Sequence, residues 1–131
     1  MKPRPKSGDC FEMPKRGSDT PHLWILLTNP DERGLAVMVN ITTKRPNSDC
    51  AVILKKGDHP YITHPSVVFY ADAQITDTSL IESAIDTEHP QVIPCNSCSP
   101  EILRRIQQGL IISDFTPAKV IQFFRKTTGM K

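Results

Sequence analysis

Apolar positions in this chain come in short, dense runs separated by prolines, glycines and polar turns, a pattern that suits strands better than helices through the first half. Asp9 to Met13 alternates around Phe11 and predicts a short strand that stops at Pro14, followed by a polar loop from Lys15 to Pro21. His22 to Thr28 carries the densest apolar run. Asn29, Pro30, Asp31 and Gly34 mark a tight turn, and Leu35 to Thr42 is dominated by β-branched and apolar residues, so the two segments predict a hairpin. After the loop Lys44 to Asp49, Cys50 to Leu54 gives a further short strand. Ser66 to Ile75 resumes β-type composition beyond the turn-rich stretch Lys55 to Pro65.

After Thr78 the pattern changes. Leu80 to Ile85 reads as a helical turn or a loop, and Asp86 to Ser99, punctuated by Pro90 and Pro94, predicts no long element. Two helices follow. Ser99 and Thr116 stand as caps, Pro100 and Pro117 as first helical residues whose missing N–H goes unused, and Gly109 as the end of the first helix. Ile102, Leu103 and Ile106 line one face of the first helix, and Val120, Ile121 and Phe124 one face of the second. Strands first and helices last predict an antiparallel α+β fold: a small, strongly bent sheet or barrel of five to six strands, with two C-terminal α-helices closing an end or an edge.

A length of 131 residues suits one domain. The expected division is a flexible basic arm over 1–7, which holds three basic residues and two prolines, then a domain over 8–131 with its barrel in 8–78 and its helices in 99–128. Sixteen Lys and Arg against 14 Asp and Glu leave a formal charge of +2, too little for the field of an obligate nucleic-acid or membrane-surface binder, although a local basic patch is compatible with it. The longest apolar run, Leu23 to Leu27, is far too short to span a bilayer, and residues 1–16 lack a signal-peptide core. A soluble, cytoplasmic protein is expected, with Cys10, Cys50, Cys95 and Cys98 as reduced thiols.

Candidate chemistry gathers in a few places. In Gly57-Asp58-His59-Pro60-Tyr61-Ile62-Thr63-His64-Pro65, prolines hold two histidines in a turn. One reading makes His59 and His64 acid and base, with Asp58 or Tyr61 orienting one of them and Lys55 and Lys56 drawing in a phosphate backbone. The other has Gly57 and Asp58 build the turn, His59 cap a backbone group and His64 lie extended before Pro65. His22 opens a strand after a long loop, as catalyst or strand-edge residue. Thr42 and Thr43 end a strand, and Lys44-Arg45 forms a second basic pair. Tyr61 is the aromatic residue in a loop that is best placed to stack on a base. Cys95-Asn96-Ser97-Cys98 has the spacing of half a zinc site, which Cys10, Cys50 or His89 would have to complete; an ordinary loop is the alternative.

The order of a strand opening at Gly8-Asp9, a long loop, Leu23-Trp24-Ile25-Leu26-Leu27, a turn and Val37-Met38-Val39-Asn40-Ile41-Thr42-Thr43 resembles the opening of the MazF/PemK group of toxin endoribonucleases over about residues 8–75. The resemblance implies an SH3-like barrel and cleavage of single-stranded RNA without metal or other cofactor. A base takes the ribose 2′-OH proton, the oxyanion attacks phosphorus and an acid protonates the leaving 5′-oxygen. The group's threonine after its third strand falls on Thr42, and its arginine before the second apolar strand falls on His22, which can also move a proton. On this reading His22, His59 and His64 supply the proton transfers, and Thr42, Lys44 or Arg45 stabilises the phosphorane charge. Members commonly form homodimers and are neutralised by an antitoxin protein. The rival is a non-catalytic barrel that binds a protein or nucleic-acid partner through its proline-rich loops and terminal helices.

Overall fold

A computed structural model of the chain describes residues 4–15, 17, 19–88 and 90–131. Its strands are β1 (Cys10–Pro14), β2 (Pro21–Leu26), β3 (Leu35–Thr43), β4 (Ile53–Leu54), β5 (Ser66–Val68), β6 (Gln74–Asp77) and β7 (Ile93–Cys95), and its helices α1 (Thr78–Ile85), α2 (Pro100–Ile112) and α3 (Ala118–Thr128). All strand pairs are antiparallel, in the order β4-β5-β3-β2-β1-β7, with β6 also paired to β3. The fold is therefore α+β, built, among the described residues, on an open sheet of seven strands with three helices rather than the five to six strands and two helices expected.

The dense apolar run of β2 is explained by cover on both faces of the sheet. Leu23, Ile25 and Leu27 point to one side, where they share a core with Val37, Val39, Ile106, Leu110, Val120 and Phe124. Trp24 and Leu26 point to the other, where they meet Phe11, Ala36, Met38 and Ile81. A strand buried on both faces shows no polar alternation. Each fully buried Leu or Ile side chain contributes about 1.5–3 kcal/mol. The β2–β3 hairpin forms as expected, with Leu23 opposite Ile41 and Leu26 opposite Met38. Its turn is set by Asp31 Oδ1, which accepts from the N–H groups of Arg33 and Leu35 at 2.9 Å each.

The differences from expectation have local causes. The segment Ser66 to Ile75 is not continuous: a 3-10 turn at Tyr70–Asp72 separates β5 from β6, because Tyr70 turns inward, fully buried, and its hydroxyl donates to the Ile106 carbonyl at 2.8 Å. The stretch after Thr78 is a helix with Asp77 as its cap, and Ile81 fastens it to the sheet. β7 forms within the proline-punctuated segment because β1 offers it an edge, with Cys10 opposite Cys95. Ser99 caps α2 as expected, accepting from the Ile102 N–H at 3.2 Å. Gly109 does not end that helix, which continues to Ile112. Thr116 does not cap α3: its hydroxyl donates to the Leu110 carbonyl at 2.7 Å, and Pro117 takes the cap position.

Of the arm expected over 1–7, residues 1–3 lie outside the described residues. Pro5 is buried, the Lys6 N–H bonds Asp9 and the Ser7 N–H bonds Asn29. Among the described residues no helix is long and apolar enough to cross a membrane.

Candidate functional site

The sheet registers bring two of the candidate histidines to one place. In β2, His22 lies one residue before the Leu23–Ile41 pair, at the end of the β2–β3 ladder. His64 immediately precedes Pro65 and β5, whose first residue Ser66 pairs with Thr43 at the end of β3. Both imidazoles therefore reach the C-terminal end of β3, where they line a single cleft of about 220 Å³ together with Thr42, Thr43, Tyr61 and Ser66.

The hydrogen bonds of the two rings differ in kind. His22 Nδ1 lies 3.2 Å from the Ile41 carbonyl oxygen. That oxygen can only accept, so Nδ1 carries the proton and the neutral ring keeps its lone pair on Nε2. Such a ring is arranged as a base. His64 has a hydroxyl at each nitrogen, Thr43 Oγ1 at 2.9 Å from Nε2 and Thr63 Oγ1 at 3.2 Å from Nδ1. Hydroxyls accept as well as donate, so the doubly protonated ring is satisfied in the same place. The same hydroxyls satisfy the neutral ring equally, in either tautomer. The Ser66 hydroxyl donates to the His64 carbonyl at 2.9 Å and fixes the backbone beneath it.

His59 is not at this cleft. It is buried, its Nδ1 accepts from the Tyr61 N–H at 3.0 Å and its Nε2 lies against the Asn96 carbonyl oxygen. Nε2 must carry the proton, and both nitrogens are spent on backbone. The ring is a strut between the 59–64 turn and the segment that follows β7, as in the capping reading of the sequence. Asp58 likewise builds the turn: Oδ2 accepts from the Lys55 N–H at 2.9 Å and lies 4.0 Å from the Arg105 guanidinium.

Tyr61 does line the histidine cleft, half-exposed. Burial, and then the charges of Glu12 and Cys95, push its pKa up, so the phenol stays protonated and available as a donor at neutral pH. Thr42 and Thr43 line this cleft and a neighbouring one of about 300 Å³, whose walls include Arg45, Phe69 and Phe115. Lys44 is exposed beside the cleft, its N–H bonded to the Pro65 carbonyl at 3.1 Å. Lys55 and Lys56 are exposed in their own turn and do not line either cleft. Ser66 is the site residue that the sequence reading did not consider; the pairing that makes Thr43 and Ser66 neighbours of His64 is a property of the sheet.

The four cysteines are free. Cys10 and Cys98 are close enough for their thiols to interact, and that hydrogen bond lowers the pKa of Cys98 while raising that of Cys10. Cys95 stands opposite Cys10 across β1 and β7, and its thiol is pushed up by burial and by Glu12. Among the described residues no three His, Cys, Asp or Glu side chains stand where they could hold a metal, and His89 lies outside those residues. No family model matches the sequence, and no curated protein matches it.

Proposed function

We propose that this chain is a metal-independent endoribonuclease of toxin type, acting on single-stranded RNA, with its open sheet as a variant of the SH3-like barrel. The observation that carries the reading is the shared cleft of His22 and His64, in which the Ile41 carbonyl puts the lone pair of a neutral His22 on Nε2. His22 Nε2 takes the proton of the ribose 2′-OH. The 2′-oxygen bonds to phosphorus, the bond from phosphorus to the 5′-oxygen breaks, and a His64 N–H delivers its proton to that oxygen. The products are a 2′,3′-cyclic phosphate and a free 5′-hydroxyl. The hydroxyls of Thr42 and Tyr61 supply donors to the non-bridging oxygens, and Lys44 and Arg45 supply positive charge. His59 acts on this reading only by holding the turn that carries His64. A homodimer acting in the cytoplasm, and neutralisation by an antitoxin protein, belong to the same reading.

The test is incubation of the purified protein with single-stranded RNA in the presence of a chelator. Cleavage to cyclic-phosphate ends, reduced about 10²- to 10⁴-fold in His22→Ala and in His64→Ala, is the expected result. Folded protein that leaves RNA intact overturns the proposal and favours the non-catalytic binding module.

A further inference from the structure

The histidine cleft, at about 220 Å³, falls below the roughly 300–1,000 Å³ usual for a ligand pocket. It suits a sugar–phosphate linkage, and the bases on either side of that linkage must lie elsewhere. The neighbouring cleft of about 300 Å³ shares Thr42 and Thr43 with it, so the two are contiguous across the end of β3. Its walls hold two aromatic rings that the core leaves out. Phe69 is 37% exposed and Phe115 is 61% exposed, whereas Trp24, Tyr70 and Phe124 are fully buried. Phe69 faces outward because the next residue, Tyr70, turns into the core. Phe115 sits in the link between α2 and α3, its N–H held by Ser113 Oγ at 3.1 Å.

Two cations stand at this cleft. Lys15 Nζ lies 4.0 Å from the centroid of the Phe69 ring, and Arg45 forms part of the wall. Two carboxylates stand near these cations: Asp49, in the wall, which accepts from the Ser113 hydroxyl and from the Ala51 N–H, and Asp72, whose charge acts on Lys15. Ser48 Oγ is likewise taken by the Arg45 N–H. Asn47 also lines the cleft, with an amide that offers one donor and one acceptor edge.

From these observations we infer that the Phe69–Phe115 cleft is a nucleobase subsite, in which a base adjacent to the scissile linkage of single-stranded RNA stacks on the phenyl rings. The inference rests on the endoribonuclease reading for its substrate, but stacking needs no cleavage, and the two are separable by experiment. The probe is a fluorescently labelled single-stranded 2′-fluoro RNA, which lacks the attacking hydroxyl, with an abasic oligonucleotide of the same backbone as control. Binding is read by anisotropy. Phe69→Ala and Phe115→Ala are expected to weaken binding of the 2′-fluoro RNA about tenfold. Phe115→Trp is expected to retain binding and Phe115→Leu to lose it. All of these proteins should bind the abasic oligonucleotide equally. Equal affinity of the wild type and the alanine variants for the base-bearing probe overturns the subsite, as does a wild type that binds neither oligonucleotide. If ordinary RNA is cut while the alanine variants bind as the wild type does, the subsite fails and the nuclease stands. If stacking is seen and ordinary RNA survives, the nuclease fails and the subsite stands.

Discussion

Tyr70 and Gly109 are fitted to one another: a Cβ on Gly109 would lie 2.2 Å from the Tyr70 hydroxyl oxygen and 2.4 Å from Val52 Cγ2. Both obstacles are buried, and the hydroxyl is anchored on Ile106, so neither can swing away. Glycine costs a helix interior about 1 kcal/mol relative to alanine. Here the close approach outweighs that cost. Gly109→Ala is expected to lower stability by about 1–3 kcal/mol in urea unfolding, against the gain that helix propensity alone dictates. Tyr70→Ala should destabilise by itself, and the double variant should be less destabilised than the sum of the two singles. Strict additivity would mean that the ring and the helix backbone do not meet.

That pair also marks where sequence reading stops. A glycine near a helix end is an ordinary stop signal, and nothing local to Gly109 says that a tyrosine from another element needs the space. The hairpin was legible because its information is local: two apolar runs around a turn whose Asp31 and Gly34 set their own geometry. α1 was obscured by its eight-residue length, and β7 by a proline and by having no reason to be extended apart from the edge of β1. The cap-like Thr116 was claimed instead by a carbonyl at the end of α2. In the candidate site, His22, Thr42, Tyr61 and His64 were legible as residues, but their meeting depends on the register that sets Thr43 against Ser66. His59 and His64 lie in one proline-bounded string, and only burial separates the strut from the exposed ring.

The hairpin turn gives a pH-dependent prediction. Hydrogen bonds from the Leu35 and Arg33 N–H groups, together with the charge of Arg33, hold the Asp31 carboxyl below the usual carboxylate range, with the Leu35 bond the largest cause. A depressed folded-state pKa means stability that is fully present above the unfolded value, near 3.9, and lost as pH falls through the folded value. Asp31→Asn is expected to melt below the wild type at neutral pH and to converge with it in strong acid. A gap of constant size across that window would show that the charge of Asp31 plays no part in holding the turn.

Removing His59 leaves the Tyr61 N–H and the Asn96 carbonyl without their partner in a buried setting, at roughly 1–3 kcal/mol for each group left unsatisfied. His59→Ala should therefore unfold at clearly lower urea than the wild type. His64→Ala, whose ring is exposed, should change stability by about 0.5 kcal/mol or less. The order of the two midpoints is what matters. If His64→Ala is the less stable protein, the assignment of strut and site residue is reversed.

The division of labour between His22 and His64 predicts how each failure can be repaired. A neutral base and a protonated acid give a bell-shaped dependence of kcat/KM on pH. His22→Ala should remove the limb that rises from acid pH, and His64→Ala the limb that falls toward alkaline pH. The acid is needed because an alkoxide is a poor leaving group, so a substrate whose 5′-nucleoside is replaced by p-nitrophenolate, which departs without a proton, should bypass it. On that substrate His64→Ala is expected to recover most of the wild-type rate, whereas His22→Ala stays about 10²-fold or more below it, because the 2′-hydroxyl still has to lose its proton. The p-nitrophenolate released is read directly by absorbance. Equal recovery by both variants would place neither ring on the leaving oxygen, and recovery by His22→Ala alone would exchange the two roles.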